Sequence, residues 1–151
     1  MELPCFQQKA QKSFFKYNSE YQWQIITQKN RRMVLNFSGQ LGTKDQPERE
    51  QFSIGGVSTV RGYAVGIIRG DHGYCLRLEL HEKTPRWIKG FLFLDQGIAF
   101  SKWPFTNENF LASVGIGCNL QLTDRITGQV VCGAPYKDKV RIHFNAQASF
   151  Y

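Results

Sequence analysis

Residues 110–122 read Phe-Leu-Ala-Ser-Val-Gly-Ile-Gly-Cys-Asn-Leu-Gln-Leu, and they show the pattern that indicates the fold class. Its even positions are apolar throughout, whereas the odd positions from Ser113 to Gln121 carry only glycine or polar side chains. Successive side chains of a strand point to opposite faces of a sheet. The period of two therefore predicts a β-strand with one apolar face and one polar face.

Six further segments show the same alternation, the one at 126–134 more weakly: 13–25, 33–41, 74–80, 87–98, 126–134 and 140–150. Most of these seven predicted strands are about 9–13 residues long, whereas strands of soluble proteins have a mode near 5–6 residues. Strands that cross a bilayer at a tilt need about 9–11 residues. The pattern favours an all-β, antiparallel transmembrane β-barrel over a soluble sandwich or lipocalin-like barrel, although periodicity alone does not say which face is inside.

The connections between the predicted strands support the membrane alternative. Those at 27–32, 83–86 and 123–125 are short, those at 43–70 and 99–109 are longer, and only the short one at 135–138 breaks the alternation. Transmembrane barrels have short periplasmic turns and longer outer loops. This places the C-terminus in the periplasm, where the last strand ends in Phe150.

The connection at 43–70 is too long and too apolar for an ordinary exposed loop. It contains the adjacent glycines Gly55 and Gly56, and it carries the buriable side chains of Phe52, Ile54, Val60 and Tyr63. Long connections in compact domains are usually functional or disordered, and paired glycines let backbone segments pack closely together. We therefore expect this loop to be folded.

Two motifs in and after this loop resemble those of a known family. The sequence FSIGGVSTVRGY at 52–63, continued by GDHGYCLRLEL at 70–80, resembles the sixth extracellular loop and next strand of two-partner secretion transporters. These are the TpsB proteins of the ShlB/FhaC/HecB haemolysin secretion and activation type. FLFLDQG at 91–97 resembles their F-x-D-x-G strand motif. The resemblance marks as site residues Gly55, Gly56, Val60, Arg61, Gly62 and Tyr63 in the loop, Gly70, Asp71 and Gly73 after it, and Phe93, Asp95 and Gly97 in the wall.

The resemblance implies a 16-stranded barrel in the bacterial outer membrane, preceded by two periplasmic POTRA domains, that moves an unfolded TpsA-type exoprotein without ATP. It also implies that the loop folds into the lumen, where Arg61 meets Asp95. Alternation supports this pairing, because Asp95 lies on the face opposite Leu92 and Leu94, and a lipid-exposed carboxylate would be costly. An exposed Arg–Asp pair contributes only about 0–1 kcal/mol, so its expected role is to position the loop.

The chain departs from the family in its extent. Seven predicted strands are about half of sixteen, so we expect a transmembrane barrel fragment, truncated and inactive by itself, that occupies residues 12–151. Residues 1–11 are expected to be a leader of uncertain origin, and they show no signal peptide. The resemblance further implies that Phe150 is read by the outer-membrane insertion machinery, and that the apolar strand faces contact the lipid bilayer.

Other functions remain as alternatives at this point. A related outer-membrane protein assembly factor shares the VRG[FY] loop. A soluble β-domain binding nucleic acid would use the net charge of +7, but the only clustered basic residues are Lys29, Arg31 and Arg32 in a short turn. The four cysteines form no metal-ligand spacing, and no nucleophile–base pair is apparent. We therefore expect no enzyme, no metal, no cofactor and no nucleic-acid partner.

Overall fold

The computed structural model describes residues 13–27, 31–43, 46–82, 87–102, 109–123, 125–136 and 138–148. Phe150 and residues 1–11, for which the sequence predicts an insertion signal and a leader, lie outside the described residues. Their roles and the division of the chain at residue 12 therefore stay predictions.

Seven strands form one antiparallel sheet in the order β1-β2-β5-β6-β7-β8-β9. The strands of this sheet are β1 (Lys16–Ile26), β2 (Arg32–Gly42), β5 (His72–His81), β6 (Ile88–Phe100), β7 (Phe110–Gln121), β8 (Ile126–Pro135) and β9 (Arg141–Ala148). The seven strands predicted from the period of two are thereby confirmed. The long connection adds elements that the sequence did not reveal: a 3₁₀ turn (Glu48–Glu50) and a two-stranded hairpin of β3 (Phe52–Ile54) and β4 (Ile68–Gly70).

The register divides the sheet into two faces of opposite character. Arg77 of β5 lies opposite Asp95 of β6, which lies opposite Ser113 of β7. We call the face that carries these polar side chains the inner face, because the long connection folds onto it. The outer face carries the alternate side chains, among them Leu92 and Leu94 as the alternation predicts, and both of these are exposed.

The outer face is an uncovered apolar surface that runs across the whole sheet. Its exposed side chains include Tyr17, Tyr21, Trp23, Leu41, Leu92, Leu94, Val114, Ile116, Ile142 and Phe144. Soluble monomers rarely expose contiguous apolar patches larger than a few hundred Å². A soluble sandwich or lipocalin-like barrel would bury this face, so the structure does not support either alternative. Among the described residues, no helix is long and apolar enough to span a membrane.

In the part of the chain that the structure describes, the sheet is open at both sides. Within the described residues, β1 pairs only with β2 and β9 pairs only with β8, so each has one edge without a partner strand. An open seven-stranded sheet with one apolar face corresponds to part of a barrel wall, since a complete transmembrane barrel leaves no free edge. The predicted fold class, a fragment of a transmembrane barrel with an inward-folding loop, is confirmed in this form.

Candidate functional site: a loop bound to the inner face

Close backbone packing shapes the loop between β3 and β4. Gly55 and Gly56 have φ angles of +106° and +99°, a region that L side chains rarely adopt. A Cβ at Gly55 would overlap the carbonyl oxygen of Ala64, and one at Gly56 would lie 3.0–3.4 Å from atoms of Val65. The two glycines therefore allow the outgoing and returning halves of the loop to lie against each other.

The apolar side chains of the loop pack against the inner face. Ile54 and Val60 are fully buried and Tyr63 is 4% exposed, and all three belong to one cluster with side chains of the sheet. The sheet contributes Cys75, Ala99 and Leu111 to this cluster. Burial of each large apolar side chain contributes about 1.5–3 kcal/mol. The expectation that the loop is folded is therefore confirmed, with its own residues forming much of the small core.

Arg61 binds two carboxylates of the wall. Its Nε and Nη2 atoms donate to the two carboxylate oxygens of Asp95, both at 2.7 Å, and its Nη1 donates to Oε1 of Glu79 at 2.6 Å. The backbone N–H of Arg61 also donates to Oδ2 of Asp95, at 3.1 Å. The guanidinium fork matches a carboxylate in two bonds, which fixes direction as well as distance. The predicted contact between Arg61 and Asp95 is thus present.

The Arg61–Asp95 pair is buried, so the small energy expected for an exposed pair does not apply to it. The Arg61 side chain is 1% exposed and that of Asp95 is 0% exposed. A buried charge left without its partner destabilises a protein by about 3–5 kcal/mol. The contact therefore positions the loop, as predicted, and the energetic consequence of breaking it is much larger than expected from the sequence.

The two sequence motifs fit each other residue by residue. The guanidinium carbon of Arg61 lies 3.9 Å from the ring centre of Phe93, within the range of cation–π contacts. A Cβ at Gly97 would lie 3.2 Å from Cγ2 of Val60, so glycine leaves the room that Val60 occupies. Phe93 and Asp95 therefore contact Arg61, and Gly97 leaves room for Val60.

Glu79 is one of the site residues that the sequence did not single out. Besides Arg61 it contacts Arg77, at 3.4 Å, and Nε2 of His81, at 2.9 Å. Arg77 in turn donates to the backbone carbonyl of Ser58 in the loop, at 2.9 Å. Two arginines thereby balance the two carboxylates of the cluster. Alternation placed Glu79 on the same face as Arg77, but no local signal showed that Arg61 reaches it.

The tip of the loop rests on the last strands of the sheet. The N–H of Gly62 donates to Nε2 of His143 in β9, at 3.2 Å. A Cβ at Gly133 of β8 would lie 2.8 Å from the backbone of Gly62. The hydroxyl of Tyr63 donates to the carbonyl of Ala112 in β7, at 3.1 Å. Residues 61–63 therefore contact five adjacent strands, β5 to β9.

The base of the loop is closed by the residues that follow it. A Cβ at Gly70 would overlap the backbone of Phe100, and one at Gly73 would overlap the ring of Phe52. The buried carboxylate of Asp71 accepts hydrogen bonds from the N–H of Gln46 and from Nε2 of Gln51, both at 3.3 Å. These contacts explain why the motif has Gly70, Asp71 and Gly73 at these three positions.

An ion pair joins the 3₁₀ turn to the first strand. Nζ of Lys16 lies 2.6 Å from Oε2 of Glu50. The hydrogen bond and the charge of Lys16 lower the pKa of the Glu50 carboxyl below its ordinary value. The loop is thus tied to the sheet at its base, along its middle and at its tip. Within the described part of the chain, no cluster of side chains could hold a metal ion.

Most of the chain matches a protein-family model. Residues 3–120 match the model described as haemolysin secretion/activation protein ShlB/FhaC/HecB. This match covers most of the chain, including both motifs. The chain belongs to the ShlB/FhaC/HecB family. Members of this family are outer-membrane proteins of two-partner secretion, in agreement with the uncovered apolar face of the sheet.

A solved structure shows the same fold. CdiB from Acinetobacter baumannii matches with a TM-score of 0.73 and 20% sequence identity. The match covers 91% of this chain and 27% of the CdiB chain. This ShlB/FhaC/HecB chain therefore spans about a quarter of the length of that structure. No curated protein sequence gave a significant match.

The contact between Gly62 and His143 makes a testable prediction about the loop tip. In His143→Ala the buried N–H of Gly62 loses its acceptor, and an unsatisfied buried group costs about 1–3 kcal/mol. We expect hydrogen exchange at the Gly62 amide to become about tenfold faster or more. His72→Ala is the matched control, because His72 accepts the N–H of Gly42 at the loop base, at 3.4 Å. Unchanged exchange at Gly62 in His143→Ala would contradict the contact.

Proposed function

We propose that this chain forms part of the wall and the inward loop of an outer-membrane pore that translocates a partner exoprotein in two-partner secretion. The partner is of the TpsA type, a haemolysin or adhesin, and the apolar outer face contacts the lipid bilayer. Membership of the ShlB/FhaC/HecB family supports this role. The main structural support for this role is the buried contact of Arg61 with Asp95 and Glu79, which holds a folded loop on the inner face of the wall.

The geometry suggests a separate role for each group of site residues. Arg61 and Asp95 fix the direction of the loop, and Val60 and Tyr63 supply its apolar attachment. Gly62 lets the tip approach the last strands closely. We propose that the loop occupies the lumen as a positioned element beside which the exoprotein passes. This role requires no catalytic group and no cofactor.

A related outer-membrane protein assembly factor is the second candidate, because such factors share the VRG[FY] loop. The family match and the continuation of the loop motif at residues 70–80 favour the secretion pore. The deciding experiment restores the complete transporter to a strain that lacks it. We expect the exoprotein to reappear in the medium while the amounts of other outer-membrane barrels stay unchanged. Restoration of those barrels without exoprotein in the medium would favour the assembly factor.

The open sheet makes a prediction about the chain by itself. Among the residues that the structure describes, one edge of β1 and one edge of β9 have no partner strand, and each unpaired backbone group in hydrocarbon costs several kcal/mol. We therefore propose that the 151-residue chain is inactive alone and conducts no ions in a planar bilayer, whereas the complete transporter conducts. Discrete single-channel currents from the chain alone would show that it forms a closed pore and would contradict this prediction.

A further inference from the structure

We propose that five amide side chains on the inner face form a binding surface for an extended, unfolded polypeptide. This amide track consists of Asn119, Gln121, Gln129, Asn145 and Gln147. It rests on the proposed function and deepens it, because it names the surface of the wall that the translocated exoprotein contacts.

The amide track is ordered by the register of the last three strands. Asn119, Gln129 and Asn145 face one another across β7, β8 and β9 in one row. Gln121 and Gln147 belong to the next row, with Thr127 between them. Neighbouring strands lie about 4.8 Å apart, and alternate residues of one strand lie about 6.6–6.8 Å apart. The track is therefore a regular array of amide groups, and an extended polypeptide has a similar repeat along its backbone.

The amide track lies where the loop does not cover the wall. Phe91, Phe93 and Val131 in the neighbouring rows are at most 5% exposed and form a buried cluster of their own. Gln121, Asn145 and Gln147 are exposed. An open cavity of about 320 Å³ is lined by the track and by the side chains of Lys89 and Thr127. A ligand can therefore reach the track past the attached loop.

The chemistry of the amide track fits a polypeptide backbone. Each amide side chain offers an N–H₂ donor and a carbonyl acceptor, and each residue of an extended chain offers one N–H and one C=O. Nε2 of Gln129 donates to Oδ1 of Asn119 at 2.8 Å, which orders the centre of the track. The side chains of Gln121, Asn145 and Gln147 have no hydrogen-bond partner among the described residues, so they are free to bind.

Because the five amides carry no charge, they favour contacts with the backbone of a polypeptide over contacts with its charged side chains. Arg77, Glu79 and Asp95 of the inner face are already engaged with one another or with Arg61 of the loop. Of the described residues that line the cavity, only Lys89 is charged. An uncharged surface binds charged and neutral segments of an unfolded chain alike, which suits a pore that must pass a long and varied sequence.

The experiment measures how long an uncharged peptide blocks the complete transporter in a planar bilayer. The probe is a 21-residue peptide of seven Gly-Ser-Thr repeats, and the variant combines Gln121→Ala, Asn145→Ala and Gln147→Ala. Because the variant removes three hydrogen-bonding side chains together, we expect the peptide dwell time to fall about tenfold or more. We expect the wild-type dwell time to be the same at about 0.1 M and 1 M KCl, because the five amides and the side chains of the probe peptide carry no charge.

The matched control is Gln22→Ala with Gln24→Ala, which removes two exposed amides from the inner face of β1, away from the track. We expect this control to keep the wild-type dwell time, and all variants to keep heat-modifiable mobility on gels. The amide track would be overturned if the peptide dwell time fell equally in both variants, or if it did not fall in the track variant. It would also be overturned if the track variant shortened the dwell time of maltoheptaose as much as that of the peptide. A wild-type transporter that conducts no ions would count against the proposed function itself.

Discussion

Secretion by the complete transporter is expected to fall at least tenfold when Arg61 is replaced by alanine, while the barrel stays inserted. The substitution leaves the fully buried carboxylate of Asp95 and the largely buried one of Glu79 without the cation that binds both. Loss of one partner of a buried pair costs about 3–5 kcal/mol, which shifts the equilibrium between bound and released loop by about 10²–10⁴. The strand pairing of the wall does not depend on Arg61, so insertion is retained. The amount of exoprotein in the medium measures secretion, and the heat-modifiable mobility of the barrel on gels measures insertion.

Two companion variants distinguish the loss of this contact from the loss of any loop arginine. Arg69 lies in the same connection with an exposed side chain, so Arg69→Ala should secrete like the wild type. Arg61→Lys keeps the charge but loses the two-bond fork, and we expect secretion between those of the wild type and the alanine variant. Wild-type secretion by Arg61→Ala, or an equal loss in Arg69→Ala, would show that the contact has no functional role.

Most of the sheet could be predicted from the sequence because its signal is local. A period of two within 7–13 residues defines a strand without knowledge of its neighbours, and all seven strands of the sheet were found in this way. The face that lies inside could not be derived from the period, since a soluble barrel would turn the apolar face inward. The position of the loop decides it, and that position depends on contacts far apart in the sequence.

The site was predictable only in part for the same reason. The two motifs identified Arg61 and Asp95, although the burial of the pair was not foreseen. Glu79, Gly133 and His143 were missed, because their contacts with the loop join residues that are separated by up to 81 positions. The β3–β4 hairpin was missed because its strands have only three residues each, too few to show a period.

The close approach of Gly133 to the loop tip leaves no room for a larger residue at this position. We expect Gly133→Ala to release the loop from the wall, because the added Cβ would lie 2.8 Å from backbone atoms of Gly62 and 3.1 Å from the carbonyl carbon of Arg61. Backbone atoms cannot turn aside as a flexible side chain can, and overpacking of this kind costs about 1–3 kcal/mol. The 2.7 Å bonds between Arg61 and Asp95 cannot persist if the tip moves outward.

Trypsin cleavage after Arg61 measures this release directly, since the side chain is 1% exposed while the loop is bound. We expect cleavage in the Gly133→Ala transporter to be about tenfold faster than in the wild type, with secretion reduced in parallel. Gly128→Ala is the matched control, because it lies on the same strand and its added Cβ would have no neighbour closer than 3.8 Å. It should be cleaved and should secrete like the wild type. Equal protection of Arg61 in both variants would mean that the Gly62–Gly133 contact does not hold the loop, and would leave Arg61 and its two carboxylates as the main attachment of the tip.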